Sequence, residues 1–291
     1  MTLSGNRLER LAMRRPPDWW LRERCNYLGG TDVAAIMELD PYRTPRQVYL
    51  QKKSLDQRRV MNQAMIHGQN LELYLMQLYR RDTGRKLHKS RLYRDREHPF
   101  LACNPDYEVR GERGLLECRT SGQYAGQEFD SEGGVAPRQY SAQCMWQLAI
   151  TGREWCDLAV LIGGQDYRVF RITRDDELIA GLRDKAIEWW RKHIEAEVPP
   201  PLTGDRADTE WTRDRFRECN GRTIQATPEV AELAFRLKAM KAAEKPLGRE
   251  VARLENEIKE SMSGAGELIL PFGRITWKSD RNGRRTFKTL F

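Results

Sequence analysis

Two acidic residues near the middle of the chain have neighbours typical of a metal-dependent site. Asp106 follows Asn104 and Pro105, and Glu117 comes before Arg119 in the next apolar segment. We predict that each residue lies on or beside a strand and that the two strands are antiparallel. Adjacent antiparallel strands can bring the two carboxylates together. Residues two apart in a strand point to one face, so Glu117 and Arg119 should converge while Cys118 points away.

This arrangement predicts an oxygen-donor site for a divalent cation. Mg²⁺ prefers oxygen ligands, keeps several waters and needs few protein ligands. Glu72, on a predicted helix before the strands, offers a third carboxylate. Structural interpretations remain open: the two strands could be an ordinary solvated pair, and Glu72 could be one exposed residue of a helix.

The segments around these residues predict an α/β core with a mixed central β-sheet flanked by helices. Thr44 and Pro45 have the residue types of a helix N-cap and first helical position. Apolar residues at helical spacing predict helices over 60–81, 137–151 and 175–196. Alternating or continuous apolar residues predict strands over 87–93, 101–109, 115–120, 155–162 and 167–172.

A proline-rich stretch at 198–205 predicts a domain boundary, with one domain over 1–202 and an extension over 203–291. In the extension, Thr227 and Pro228 should open a helix, and Pro246 and Gly248 should interrupt it. We therefore predict a helical hairpin or a kinked helix, followed by a short β-hairpin built from 268–277 and 284–290.

Composition favours a polyanionic partner and excludes other classes of protein. The net charge is +8, with 50 Lys and Arg against 42 Asp and Glu, which suits nucleic acid. The apolar runs are shorter than a transmembrane span needs, and the N-terminus lacks the pattern of a secretory signal, so we expect a cytoplasmic protein. The six cysteines are scattered, which favours free thiols over an iron–sulfur cluster.

Further motifs appear in a fixed order along the chain. Pro105-Asp106, a spacer and Glu117-x-Arg119 resemble the P-D…E-x-K signature of restriction-endonuclease-like nucleases, with Arg119 in the lysine position. The other segments resemble motifs of the YqaJ viral recombinase and lambda-exonuclease family; they are 20–24 (WLRER), 28–36 (LGGTDVAAI), 42–45 (YRTP), 68–72 (GQNLE), 140–143 (YSAQ) and 151–153 (TGR).

The resemblance implies a role for each matching residue of the catalytic centre. Glu72, Asp106 and Glu117, with the backbone carbonyl of Cys118, would hold Mg²⁺ or Mn²⁺, with two ions per site. Gln143 would support the nucleophile or the metal ligands, although it could also be an ordinary buried amide.

The same resemblance implies a second site that binds the 5′-phosphate of DNA. Its residues would be Arg24, Thr31 and the backbone amides of Gly29 and Gly30. Arg24 could instead be a surface charge, and Thr31 could be the N-cap of a helix that begins at Asp32. Helix N-termini favour anions, so an N-cap role would not exclude phosphate binding.

The family implies a 5′-to-3′ exonuclease that acts on the ends of double-stranded DNA and leaves a 3′ tail for a single-strand annealing partner. It also implies a homo-oligomer such as a trimeric ring. Arginine stays protonated and is larger than lysine, so Arg119 is less suited to proton transfer. The alternatives are a DNA-end-binding protein that has lost catalysis, or another nuclease of the superfamily, such as an iron–sulfur or site-specific enzyme.

Overall fold

The computed structural model describes residues 18–53, 63–129, 134–219, 221–280 and 283–290. The chain divides into two compact units, Met1–Arg217 and Glu218–Phe291. Within the described residues, no helix is both long and apolar enough to cross a membrane.

The first unit contains seven α-helices and seven β-strands among its described residues. Its helices are α1 Asp18–Cys25, α2 Gly30–Ile36, α3 Pro45–Lys52, α4 Gln63–Thr83, α5 Arg138–Thr151, α6 Asp176–Trp189 and α7 Arg206–Arg215. Its strands are β1 Leu87–Lys89, β2 Tyr93–Arg94, β3 Ala102–Cys103, β4 Tyr107–Val109, β5 Gly114–Ser121, β6 Trp155–Ile162 and β7 Asp166–Thr173. A 3-10 helix covers Ala125–Glu128, and a π-helix, Trp190–Glu195, continues α6.

The central sheet has five strands in the order β1-β4-β5-β6-β7. Only the pairing of β5 with β6 is parallel, so the sheet is mixed. Alternate residues of β5 enter different cores: Leu115 packs with Trp146 of α5, and Leu116 packs with Leu75 of α4. Helices therefore cover both faces, which confirms the predicted fold class.

Several predicted elements differ from the observed ones. The predicted strand 101–109 is interrupted at 104–106, where Pro105 cannot donate a backbone hydrogen bond. The predicted strand 87–93 is likewise two strands, since β2 pairs with β3 in a separate two-stranded sheet. The helix predicted from Pro45 is present, and Thr44 caps it by accepting from the Gln47 amide at 3.3 Å.

The first unit includes a helix, α7, that the sequence patterns did not predict. Its Asp208 is buried and accepts hydrogen bonds from the Thr44 hydroxyl at 2.6 Å and from the Thr203 amide at 2.8 Å. These contacts attach the segment after the prolines to α3. The observed units consequently divide after Arg217, whereas the predicted boundary lies at the prolines.

The second unit consists of one long helix and a small sheet. Helix α8, Pro228–Met262, runs for 35 residues through Pro246, so the predicted helical hairpin is wrong. A proline inside a helix removes one backbone bond, and an exposed carbonyl can bond to water instead. Strands β8 Glu267–Leu270, β9 Gly273–Ser279 and β10 Arg285–Leu290 form an antiparallel sheet in the order β10-β9-β8.

Candidate active site

The start of β4 and the middle of β5 bring Asp106 and Glu117 together. In this antiparallel pair Tyr107 lies opposite Leu116 and Glu108 opposite Leu115, so the same register places Asp106 opposite Glu117. The interruption at Pro105 leaves Asp106 outside the strand, where its Oδ2 accepts a hydrogen bond from the Cys118 amide at 2.8 Å. The backbone of β5 therefore fixes the Asp106 carboxylate.

Glu117 is 2% exposed and has three polar partners. Its Oε1 accepts from Gln143 Nε2 and its Oε2 from Gln147 Nε2, both at 2.7 Å. Arg119 Nη2 lies 2.6 Å from Glu117 Oε1, as expected for residues two apart on one face of a strand. Gln147 lies one helical turn after Gln143 in α5, and that spacing was the signal that could have identified it.

Negative charge accumulates around Asp106. Burial and the nearby carboxylates of Glu117 and Glu72 raise the pKa of Asp106 to about 8, against the opposing effect of Arg119. Burial alone would lower the pKa of Arg119, but Glu117 and Asp106 raise it above its ordinary value. Arg119 also donates from Nη1 to the Cys118 carbonyl at 3.4 Å, the backbone group that the family resemblance assigns to metal binding.

Glu72 lies on α4, near enough to Asp106 for its charge to raise the pKa of that carboxyl. It forms an ion pair with Lys89, whose Nζ lies 4.7 Å from the centre of the Tyr107 ring. In this arrangement, no group of three His, Cys, Asp or Glu side chains in the described ranges has metal-binding geometry. The chemistry of the donors nevertheless fits a hard cation: crowded carboxylates that repel one another would be stabilised by a divalent ion.

A second cluster surrounds Asp32, which is fully buried in α2. Its Oδ1 lies 2.6 Å from Arg43 Nη1 and 3.7 Å from Arg24 Nη2, and its Oδ2 lies 2.7 Å from Lys52 Nζ. Arg24 also donates to the Thr31 hydroxyl at 3.3 Å. Three cations around one carboxylate leave an excess of positive charge at this place. We call Arg24, Thr31, Asp32, Arg43 and Lys52 the basic cluster.

Burial and neighbouring charges set the ionisation of this cluster. Burial would raise the pKa of Asp32, but Lys52, Arg43 and Arg24 together hold it well below its ordinary value. Burial lowers the pKa of Lys52 to about 8, with Asp32 opposing and the two arginines adding to the effect. Asp32 and Arg43 belong to motifs that the sequence displayed, but no role for either, or for Lys52, was predicted.

The predicted phosphate site differs in two details from the observed cluster. The N-cap of α2 is Gly29, two residues before Thr31, so the N-cap interpretation of Thr31 is wrong. The Gly29 amide donates to Asp32 Oδ2 at 2.9 Å, and therefore one of the two amides expected to contact phosphate already has a partner. Gly30 lies against α5: a Cβ there would be 2.7 Å from Cγ of Gln143.

Comparisons with known proteins show what this chain is similar to. Residues 19–154 match the model of the YqaJ-like viral recombinase domain. The chain is 29% identical over 278 residues to the protein YqaJ of Bacillus subtilis (strain 168), a match that covers 94% of this chain and 86% of that protein.

Solved structures of an alkaline exonuclease from Laribacter hongkongensis, LHK-Exo, share the fold. One has a TM-score of 0.52 at 23% identity and covers 69% of this chain and 98% of that one. A second, of LHK-Exo in complex with dAMP, has a TM-score of 0.53 at 25% identity and covers 68% and 97%. The chain is therefore similar to the YqaJ-like viral recombinase domain over residues 19–154 and to the protein YqaJ over most of its length.

Proposed function

We propose that this protein is a Mg²⁺-dependent exonuclease that digests one strand of linear duplex DNA in the 5′-to-3′ direction. The match of residues 19–154 to the YqaJ-like viral recombinase domain supports a nuclease acting on DNA. The observation that carries the proposal is the convergence of Asp106, Glu117 and Arg119 beside β5. The product would be a 3′ tail for a single-strand annealing protein, and the enzyme would assemble as a homo-oligomer such as a trimeric ring.

In this proposal Glu72, Asp106, Glu117 and the Cys118 carbonyl hold Mg²⁺, and Mn²⁺ would substitute. The bound ions would supply activation of the attacking water and stabilisation of the leaving oxygen. When the metal binds, the Glu72 carboxylate would leave its ion pair with Lys89 and bind the ion. Gln143 and Gln147 hold the Glu117 carboxylate in place from α5, so their role is to position a ligand.

Arg119 would provide positive charge beside the phosphoryl group. Charge that develops in the transition state is stabilised by a preorganised cation, and Arg119 is already held by Glu117 within the site. Arginine does not lose its proton under ordinary conditions. The proton of the attacking water would therefore pass to solvent or to a carboxylate, and Arg119 would act through its charge.

The basic cluster would bind the 5′-phosphate of the digested strand. Arg24 and Thr31 offer a guanidinium and a hydroxyl, and Arg43 and Lys52 add charge around buried Asp32. Guanidinium groups form strong charge-assisted bonds to phosphate. Gly30 of α2 packs against Gln143, whose amide binds Glu117, so the proposed phosphate site and the proposed catalytic centre adjoin one another.

A second candidate function is a DNA-end-binding protein without catalysis. One observation favours it: the cation in the lysine position of the family signature is Arg119, and it pairs directly with Glu117 at 2.6 Å. That pair would compete with a metal ion for the carboxylate. Such a protein would retain the basic cluster and bind ends without cutting them.

Labelled linear duplexes separate the two candidates. One duplex carries a 5′-phosphate with an internal label near the 5′ end, and the other carries the label near the 3′ end. We expect Mg²⁺-dependent release of the 5′-proximal label first, and no release in EDTA. Retention of the duplex in a gel shift, without release in Mg²⁺ or Mn²⁺, would establish the binding function instead.

A further inference from the structure

Helix α8 carries a heptad repeat that the proposed nuclease function does not use. With Val230 as position a, positions a and d recur regularly to the end of the helix, and all but Glu244 and Ser261 are apolar. An a/d repeat of this length is typical of coiled coils. The a residues are Val230, Leu237, Glu244, Val251 and Ile258, and the d residues are Leu233, Met240, Leu247, Leu254 and Ser261.

Most of this stripe faces solvent. Its apolar side chains from Val230 to Leu254 are between 46% and 70% exposed. Only the C-terminal end of the helix is covered within the second unit, where Met262 is buried and Lys259 lies 4.6 Å from the centre of the Phe287 ring. Long helices derive most of their stability from packing of an apolar face, so the stripe requires a partner.

The charges beside the stripe identify a second copy of α8 as that partner. Positions e and g flank a coiled-coil seam and determine which helix it accepts. Between residues 236 and 257 the charged e and g residues are basic in the first half, Arg236 and Lys241, and acidic in the second half, Glu250, Glu255 and Glu257. A helix with this pattern complements itself when the second copy runs in the opposite direction.

The parallel alternative is electrostatically unfavourable. In a parallel pair, each g residue lies beside the e residue five positions later in the other helix, which places Arg236 beside Lys241 and Glu250 beside Glu255. A parallel dimer therefore places like charges beside one another on both sides of Pro246.

We propose that α8 forms an antiparallel coiled coil with α8 of a second copy, centred between Lys245 and Pro246. In this register every a residue lies opposite a d residue. Each copy places its Arg236 beside Glu257 of the other copy, so the pair contains two such contacts. A shift of one heptad towards the N-terminus would instead place Lys241 of one copy beside Lys241 of the other. Glu257 also pairs with Arg253 in its own helix, and a carboxylate can accept from both arginines.

The register predicts which positions meet across the pair. With a rise of about 1.5 Å per residue, the two copies of Leu247 lie about 4.5 Å apart along the axis, and the two copies of Leu233 lie about 38 Å apart. A parallel pair would instead place each residue beside the same residue of the other copy. Single cysteines at these two positions therefore report orientation as well as association.

The first test is cross-linking of the full chain in a Cys219→Ser background, because Cys219 is the exposed cysteine of the chain. We expect a short bismaleimide to cross-link Leu247→Cys into a dimer and to leave Leu233→Cys uncross-linked, as in the background protein. Cross-linking of both would overturn the antiparallel arrangement. Cross-linking of neither would overturn the pairing itself.

The second test is a charge-reversal cycle measured by light scattering of the full chain without DNA. Arg236→Glu and Glu257→Lys should each weaken the pairing by about tenfold, the scale of two exposed ion pairs replaced by like charges, and should halve the particle mass at limiting concentration. The double variant should restore the wild-type mass. Comparison of single and double variants cancels the loss of the Arg253 contact.

Lys238→Glu is the matched control, because position b lies away from the seam, and it should leave the mass unchanged. Tighter pairing of Arg236→Glu would indicate the parallel arrangement, since glutamate would then face Lys241, and would overturn the proposal. An equal mass for all variants and wild type would also overturn it. Helical circular dichroism at wild-type intensity ensures that a change in mass is not a change in fold.

Discussion

Gly30 packs directly against Gln143: a Cβ at position 30 would lie 2.7 Å from Cγ of Gln143 and 3.2 Å from its backbone carbonyl. The amide of the same glutamine donates to Glu117 at 2.7 Å. A glycine on α2 thus supports, through one side chain of α5, a carboxylate on β5. This contact joins the proposed phosphate site to the proposed metal site.

Gly30→Ala should therefore impair catalysis without a change in net charge. The methyl group requires Gln143 to move, and a displaced ligand support can lower the rate by about tenfold to a hundredfold. Gly181→Ala in α6 is the control, because a Cβ there meets no atom within 4 Å. The measurement is the initial rate of digestion of linear duplex. A rate for Gly30→Ala equal to that of Gly181→Ala would contradict this role of the contact.

Arg24 should determine the preference for a 5′-phosphate. Arg24→Gln removes one charge-assisted contact, worth about 1.5 to 3 kcal/mol, so the preference for phosphorylated over hydroxyl ends should fall by about tenfold to a hundredfold. Arg22→Gln, an exposed residue in the same helix, removes an equal charge and should keep the preference. Wild-type protein that digests both kinds of end at one rate would refute the assignment.

Binding of the 5′-phosphate should weaken as the pH rises through about 8. The pKa of Lys52 lies at about 8 because of burial, and Asp32 stays ionised because its pKa is held low. Loss of the Lys52 proton therefore removes a positive charge from the basic cluster while the negative charge remains. Because the form with protonated Lys52 binds phosphate, the affinity for phosphate is high below pH 8 and falls above it.

The measurement is fluorescence anisotropy of 5′-phosphorylated and 5′-hydroxyl duplexes in EDTA between about pH 7 and pH 9.5. The ratio of the two affinities should fall with pH in the wild type and stay flat in Lys52→Met, which carries no titrating charge. A ratio that remains constant in the wild type across this range would exclude Lys52 from phosphate binding.

Local patterns predicted those parts of the fold that local interactions determine. Helix α5 and strands β6 and β7 lie close to their predicted bounds, because helical spacing or continuous apolar residues define them. Helix α4 ends at Thr83, two residues after the predicted end at 81. The direct contact of Glu117 with Arg119 likewise follows from strand alternation alone.

Tertiary packing determined what the patterns missed. Lys52 and Arg43 reach Asp32 only because α3 folds back on α2, and no periodicity of the sequence encodes that approach. Pro246 was expected to break a helix, but α8 continues through it. The helix is exposed around Pro246, so the carbonyl that loses its backbone hydrogen bond can bond to water. Asp208 attaches α7 to Thr44, a contact between residues far apart in the chain.

Arg119 occupies the position of the lysine in the P-D…E-x-K signature that this sequence resembles, and its substitution tests what a cation does there. If its charge is what matters, Arg119→Lys should keep or raise the rate of digestion, and Arg119→Ala should lower it by about a hundredfold or more. Arg113→Ala, an exposed arginine in the turn between β4 and β5, is the control for loss of charge. An Arg119→Ala protein as fast as wild type would mean that position 119 supplies no catalytic cation.

One time course decides whether Asp106 and Glu117 form a metal-dependent nuclease site. Wild type, Asp106→Asn, Glu117→Gln and the turn control Glu112→Gln are incubated with 5′-phosphorylated linear duplex and Mg²⁺. Isosteric substitutions suit this site, since Glu117 is buried among polar partners and alanine would leave them unpaired. We predict that wild type and Glu112→Gln release mononucleotides while both site variants release none, with unchanged melting temperatures. Digestion by Asp106→Asn or Glu117→Gln at the wild-type rate, or wild-type digestion that continues in EDTA, would contradict the account.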